Sequence, residues 1–148
     1  MNNTAKRRQS VIKDLSLAPY GHKKLEWVQQ FMPVLNILRQ EFEETHPLAN
    51  RTIACCLHLE AKTGYLLQTL QAAGADVIAC ASNPLSTQDD VVAALVDSGI
   101  TVYAIHGEST EEYERFLAMM LDCEPDAIID DGADVVTTLH KDRPEQAQ

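Results

Sequence analysis

Short apolar segments alternate with amphipathic ones along most of this chain, and this alternation restricts the possible folds more than any other feature. The apolar segments predict strands at residues 52–57, 76–80, 101–104 and 127–129. Helical spacing of apolar residues predicts helices at 61–73, 87–97 and 110–121, with a further short helix after Asp134. Strands and helices that alternate with short connections form parallel sheets with right-handed crossovers. The sequence therefore predicts an α/β fold, a doubly wound parallel sheet of the Rossmann-like, three-layer kind with four strand–helix units.

The boundaries of these elements carry their own local signals. Gly74 and Gly99 each stand between a predicted helix and the next strand, where a glycine commonly closes a helix. Ser109 and Glu112 have the spacing of a capping box. Residues 21–45 predict an N-terminal helix, because Trp27, Val28, Phe31, Leu35 and Leu38 fall on one face. Pro33 interrupts this pattern and predicts a kink or break near Met32.

Composition limits the class of protein. A chain of 148 residues fits one domain, which we expect over residues 11–145, between a flexible tail at 1–10 and a short tail at 146–148. A net charge of −10 disfavours nucleic acid and anionic membranes as partners. No apolar run approaches the roughly 20 residues of a membrane span. Four cysteines without CxxC or zinc spacing predict buried thiols, no metal site and a reducing, cytoplasmic compartment.

Polar and ionisable residues follow each predicted strand. His58 and Glu60 follow the first, Ser82 and Asn83 the second, His106 the third, and Asp130 with Asp131 the fourth. In a parallel sheet these ends share one edge, which is where open α/β sheets bind ligands. Each signal has an alternative interpretation. A strand-end histidine is often satisfied by a neighbour, and an Asp pair before glycine often forms a turn or a helix cap. Four such ends together favour a ligand site.

The residue types at this edge suit acid–base chemistry. A histidine and an aspartate at adjacent strand ends can share proton transfer, and Glu60 and Asp131 suit hydrogen bonds to vicinal hydroxyls such as those of a ribose. Asn83, Ser86, Thr87 and Gln88 add neutral donors and acceptors. Ser86 and Thr87 are equally natural N-caps for the following helix.

Several familiar sites are missing from the sequence. The six glycines form no GxGxxG and no Walker A loop, and there is no GxSxG nucleophile elbow. An acidic pair at a strand end is typical of phospho-acceptor receiver domains, but there it follows the first strand and not the last.

Long ordered motifs give the chain a family resemblance. They are Cys56-Leu57-His58-Leu59-Glu60-Ala61-Lys62-Thr63, Ser82-Asn83-Pro84-Leu85-Ser86-Thr87-Gln88-Asp89-Asp90, Gly107-Glu108-Ser109-Thr110-Glu111-Glu112-Tyr113 and Ile129-Asp130-Asp131-Gly132-Ala133-Asp134. In this order the chain resembles S-adenosylhomocysteine hydrolase (adenosylhomocysteinase), from about Val11 to Glu145. The resemblance covers part of that family's substrate-binding domain.

The resemblance implies hydrolysis of S-adenosyl-L-homocysteine to adenosine and L-homocysteine, by a homotetramer whose bound NAD oxidises the ribose 3′-hydroxyl. It implies that His58 lies beside the leaving group and that Asp131 takes part in proton transfer. Glu60 falls at a ribose contact and Thr63 near the adenine end of the pocket. Asn83, Ser86, Gln88 and Asp130 complete the substrate-binding set that we expect from this chain.

The sequence also departs from the family pattern. Glu60 and Lys62 belong to a branch reading LHLEAKT, which leaves the preferred nucleobase open, and Ala133 stands where the family usually has glycine. The chain matches about a third of the pattern and lacks the NAD fingerprint. We therefore expect it to be inactive alone. The alternatives are a subunit of a split enzyme, with NAD bound by another polypeptide, and a stand-alone nucleoside-binding module.

Overall fold

A computed structural model describes residues 8–147 of the chain. Ten helices and strands follow one another in this part. They are α1 (Ala18–Gln29), α2 (Pro33–Thr45), β1 (Thr52–Leu57), α3 (Ala61–Ala72), β2 (Asp76–Ala81), α4 (Asp89–Asp97), β3 (Thr101–Tyr103), α5 (Thr110–Leu121), β4 (Ala127–Asp130) and α6 (Asp134–Asp142). Single 3-10 turns lie at Leu15–Leu17, Pro84–Ser86 and Pro144–Gln146. Residues 1–7 of the predicted tail at 1–10, and Gln148 of the predicted tail at 146–148, lie outside the described residues.

The four strands form one parallel sheet in the order β3-β2-β1-β4. Helices cover both of its faces. On one face, Cys55 and Val77 pack with residues of α1, α3 and α4 such as Leu25, Leu67 and Val91. On the other, Cys56 packs with Phe116 of α5 and Val135 of α6, among others. The predicted doubly wound, three-layer α/β fold is confirmed.

The N-terminal helical region is divided, as Pro33 predicts. It forms α1 and α2, and Pro33 is the first residue of α2, where its missing N–H breaks no helical hydrogen bond. The first helix begins at Ala18 and not at Gly21. Pro19 lies in the first turn of α1, where a proline is compatible with the helix because the backbone N–H groups there have no intrahelical acceptor. Gly21 therefore lies inside a helix.

Other boundaries differ from the prediction by one or two residues. The fourth helix begins at Asp89 and not at 87, because Pro84–Ser86 form a 3-10 turn and Thr87 is extended. The Ser109–Glu112 capping box is present in both directions at the start of α5. Among residues 8–147, no helix combines the length and the apolar character needed to cross a membrane.

Candidate functional site

The candidate site lies at the carboxyl ends of β1 and β4, where the order in which strands are added to the sheet changes from one side of β1 to the other. From β1 the chain adds β2 and then β3 on one side, whereas β4 pairs with the other side of β1. The loop after β1 leads to α3 on one face, and the loop after β4 leads to α6 on the opposite face. Diverging loops at adjacent carboxyl ends leave a crevice, which is the usual ligand position in open α/β sheets.

His58 and Asp131 face each other across this crevice. Nε2 of His58 lies 3.8 Å from Oδ2 of Asp131, and both side chains are partly exposed. The sequence analysis expected a histidine and an aspartate at adjacent strand ends without saying which strands are neighbours, and the structure places these two at the ends of β1 and β4. A ligand in the crevice would contact both groups.

Ser86 determines which nitrogen of the His58 ring carries a proton. The Ser86 hydroxyl donates its single proton to the Asn83 carbonyl oxygen at 2.8 Å. Nδ1 of His58 lies 2.7 Å from the same hydroxyl oxygen, and both contacts are hydrogen bonds at once only when Nδ1 carries the proton and donates it to Ser86, so we assign that tautomer. In the neutral ring Nε2 then has a free lone pair, and it faces Asp131 and the crevice.

Glu60 and Thr63 lie at the start of α3. One carboxylate oxygen of Glu60 accepts hydrogen bonds from the backbone N–H groups of Lys62 and Thr63, both at 3.0 Å. Glu60 is thus the N-cap of α3. The sequence did not predict this role, because glutamate is not among the usual N-cap residues. Thr63 is half-buried in the first turn of the helix.

Asp130 and Asp131 differ sharply although they are neighbours. The Asp130 carboxylate accepts from four backbone N–H groups, those of Gly132, Ala133, Val135 and Val136, at 2.9–3.2 Å. These bonds fix the loop and the N-terminus of α6, and they occupy both oxygens. Asp131 is left to face His58.

Ala133 closes this loop with a left-handed backbone, φ 63°. A side chain in that region costs on the order of 1 kcal/mol relative to glycine. The backbone conformation explains why glycine suits this position.

Asn83 and Gln88 take part in local contacts of the loop after β2. The Asn83 side chain accepts from the Leu85 N–H at 2.9 Å, and its backbone carbonyl receives the Ser86 hydroxyl. The Gln88 side-chain oxygen accepts from Lys24 Nζ at 2.9 Å, so it is directed to α1. Of the eight predicted site residues, His58, Ser86 and Asp131 form the connected group.

The loop after β3 supports the loop after β2. Nδ1 of His106 bonds to the Thr87 carbonyl at 2.9 Å, and the Gly107 N–H bonds to the Pro84 carbonyl at 3.1 Å. His106 is two strands from β1 and lies outside the His58–Asp131 crevice. The third strand end therefore positions a loop of the site.

Glu108 lies buried beneath this loop. One oxygen accepts from the Ile105 N–H at 2.7 Å, and the other is buried without a partner among the described residues. Burial raises the pKa of Glu108, and the nearby Glu112 and Asp89 raise it further, while the Ile105 N–H opposes the shift. The sequence shows Glu108 only as one of the polar residues that follow β3, and no local pattern indicates that it is buried.

Tyr113 links the two helices on the far side of the crevice. Its hydroxyl donates to Oδ2 of Asp134 at 2.8 Å, which joins α5 to the start of α6. Burial and this carboxylate raise the pKa of Tyr113. No residue pattern in the sequence pairs these two positions, which come together only in the fold.

Comparisons with known proteins show which family the chain is similar to. The S-adenosyl-L-homocysteine hydrolase family model matches residues 9–148. The chain is 59% identical over 134 residues to an adenosylhomocysteinase from Thermococcus kodakarensis. The aligned region covers 90% of the chain and 32% of that relative. It is 51% identical over 136 residues to an S-inosyl-L-homocysteine hydrolase from Methanococcus maripaludis. This aligned region covers 92% of the chain and 33% of that relative. The chain thus spans about a third of the length of the curated relatives it matches.

Proposed function

The chain belongs to the S-adenosyl-L-homocysteine hydrolase family, and we propose that it forms one wall of a pocket that binds S-adenosyl-L-homocysteine for hydrolysis to adenosine and L-homocysteine. The observation that carries this proposal is the His58–Asp131 pair at the β1–β4 crevice. Relatives named for S-adenosyl and for S-inosyl substrates match at similar identity, so the proposal includes a nucleoside thioether with either base.

In this proposal His58 moves the proton. Its Nδ1–H is held by Ser86, so Nε2 accepts a proton from the reacting substrate or from the water that adds to it, and gives a proton to the leaving thiolate, which departs as the thiol. The imidazolium formed in this way lies beside the Asp131 carboxylate, which stabilises its charge. Only one carboxylate oxygen of Glu60, Oε1, accepts the hydrogen bonds that cap α3. We assign the other oxygen to the substrate hydroxyls.

The NAD implied by the family resemblance does not fit the described residues. A dinucleotide site places pyrophosphate on the free N–H groups of a helix N-terminus after a glycine-rich turn. Here the turn after β1 contains no glycine, and carboxylates of Glu60 and Asp130 already occupy the N-termini of α3 and α6. We therefore assign no step to NAD within residues 8–147, and propose that it is bound by another part of the protein.

Two further statements belong to the proposal. The chain by itself binds ligand without hydrolysing it, because the resemblance assigns the oxidation of the ribose to NAD. The protein works in the reducing cytoplasm, since all four cysteines are free thiols and Cys55, Cys56 and Cys80 are buried.

Calorimetry tests the proposed pocket. We expect the chain to bind S-adenosyl-L-homocysteine, S-inosyl-L-homocysteine or both, and we expect His58→Ala and Asp131→Asn each to weaken binding about tenfold, roughly 1.4 kcal/mol. His22→Ala is the matched control, because His22 pairs with Asp97 on the outer surface of α1 and α4. Equal losses from His22→Ala and His58→Ala, or no binding at millimolar ligand, would contradict the pocket. Homocysteine release by the chain alone would contradict its proposed inactivity.

A further inference from the structure

The Tyr113 side chain lies behind the crevice, between the two strands whose ends form it. Its hydroxyl donates to Oδ2 of Asp134 at 2.8 Å, in the segment that follows β4. Its ring packs against the apolar cluster that contains Cys56 of β1. Burial, the Asp134 carboxylate and the nearby Cys56 thiol all raise the pKa of Tyr113. The hydroxyl therefore keeps its proton at neutral pH and remains a hydrogen-bond donor.

Asp134 carries this contact to the loop that contains Asp131. A Cβ on Gly132 would lie 3.3 Å from Oδ2 of Asp134, so the oxygen that accepts from Tyr113 lies beside the Gly132 backbone. Gly132 directly follows Asp131 in the chain. A continuous series of contacts thus runs from Tyr113 through Asp134 and Gly132 to Asp131.

Asp131 depends on such support because few contacts of its own hold it. Its N–H lies 3.4 Å from the Cys56 carbonyl oxygen, which is long for a hydrogen bond, and His58 is the one ion-pair partner of its carboxylate among residues 8–147. The left-handed backbone of Ala133 raises the energy of the loop, so the loop conformation has to be held by neighbouring groups. The Asp130 carboxylate supplies one set of these bonds, and the contact from α5 supplies another.

We propose that Tyr113 is a positioning residue for the His58–Asp131 pair. Its hydroxyl fixes Asp134, and Asp134 keeps the Asp131 carboxylate opposite Nε2 of His58. The inference rests on the proposed function, which gives this pair its role, and it adds α5 to the elements that shape the site. The motif at residues 107–113, which supplies none of the eight predicted site residues, then contributes to the pocket through its last residue.

The test observes the His58 ring by ¹H and ¹⁵N NMR in the ligand-free chain at pH 7. Tyr113→Phe keeps the packed ring and removes only the hydroxyl. We expect it to change the Nε2 chemical shift of His58 by about half of the change that Asp131→Asn produces. In the Asp131→Asn background, Tyr113→Phe should have almost no effect, because the carboxylate that it positions is then absent. A role in stability alone would not produce this dependence on Asp131.

Variants at Asp134 test the path of the effect. Asp134→Ala removes the acceptor and should reproduce the Tyr113→Phe spectrum, with no further change in the double variant. Asp134→Asn keeps a carbonyl oxygen that can accept from Tyr113, so it should retain most of the parental spectrum. Tyr103→Phe is the matched control and should leave His58 unchanged. That tyrosine belongs to the same apolar cluster, but it lies on β3 and its hydroxyl faces Sγ of Cys123 at 4.0 Å.

Ligand binding separates this inference from the proposed function. With S-adenosyl-L-homocysteine or its S-inosyl analogue as the probe, Tyr113→Phe should weaken binding about threefold, and only while Asp131 is present. An unchanged His58 spectrum in both Tyr113→Phe and Asp134→Ala would overturn the inference even if the chain binds ligand. An effect of Tyr113→Phe that persists in the Asp131→Asn background would overturn it as well. The expected spectra in a chain that binds no ligand would support the positioning role and contradict the pocket.

Discussion

At the scale of single residues, the chemistry of the crevice depends on one hydroxyl group. Ser86 receives Nδ1–H of His58 because its own proton goes to the Asn83 carbonyl. In the proposed function, Ser86 is thus a positioning residue that acts through the histidine. A sequence pattern identifies both residues, but it does not show that one sets the tautomer of the other.

We predict that Ser86→Ala increases the fraction of His58 that carries its proton on Nε2, because Nδ1–H loses its acceptor. Ring ¹⁵N chemical shifts of His58 measure this directly. Ligand affinity should fall about three- to tenfold, and Ser86→Thr should restore both properties. Ser109→Ala is the control, since that serine caps α5. An unchanged His58 spectrum in Ser86→Ala would disprove the assignment.

At the scale of the elements, α1 and α4 cross at Gly21. A Cβ on Gly21 would lie 1.9 Å from the Asp90 carbonyl oxygen and 2.8 Å from Cβ of Ala94. Glycine inside a helix costs about 1 kcal/mol relative to alanine. Glycine is needed at this position in spite of that cost, because α1 and α4 pack too closely there to leave room for a Cβ.

Gly21→Ala should therefore destabilise the chain by about 3 kcal/mol, because the clash involves backbone atoms of α4 that cannot move independently. Urea denaturation monitored by circular dichroism measures the change in the free energy of unfolding. Gly132→Ala is the matched control, since its Cβ would meet only the Asp134 side chain, at 3.3 Å. Equal stability of the two variants would show that α1 and α4 do not pack at this distance.

At the scale of the whole molecule, stability depends on pH through both exposed and buried acids. The pKa of Glu112 is lowered by the N–H and hydroxyl of Ser109, and the pKa of Asp126 by the Thr52 N–H and by Arg51. Their contributions to stability are lost as pH falls. Glu108 acts in the opposite direction, because burial raises its pKa above its ordinary value of 4.5. Its contribution is full below pH 4.5 and is lost as pH rises through the folded pKa.

We predict that Glu108→Gln raises the free energy of unfolding at pH 7, because the neutral amide removes a buried carboxylate beside Asp89 and Glu112. The difference from the parent chain should shrink towards zero below about pH 4.5. Urea titrations between pH 4 and pH 8 measure it, and contributions from the exposed acids cancel in the comparison. Glu114→Gln, at an exposed position of α5, should show no such pH dependence. A Glu108→Gln variant that is less stable at pH 7 would contradict the prediction.

Much of this molecule can be derived from local sequence. Short apolar runs predict every strand within one residue, because a strand that is covered on both faces is a continuous apolar segment, and that is a local property. Gly74 and Gly99 have φ of 90°, and the Ser109–Glu112 box forms as its spacing predicts. The same is true of the strand ends, which the sequence identifies as the polar edge of the sheet.

The order of the strands cannot be derived in this way. Nothing local places β4 beside β1 and not beside β3, yet that neighbour relation brings Asp131 to His58 and moves His106 out of the crevice. The order follows from crossovers and from which faces the helices can cover, and these are contacts between residues far apart in the chain.

The sequence by itself determined the strands, the helices and the residue types available at the polar edge of the sheet, because each depends on a few neighbouring residues. Only the tertiary structure decided that Asp130 holds α6 while Asp131 faces the crevice, that Ser86 orients His58, and that β4 lies beside β1. These properties depend on which side of a strand a group faces and on what lies across from it, and both are fixed when distant segments pack together.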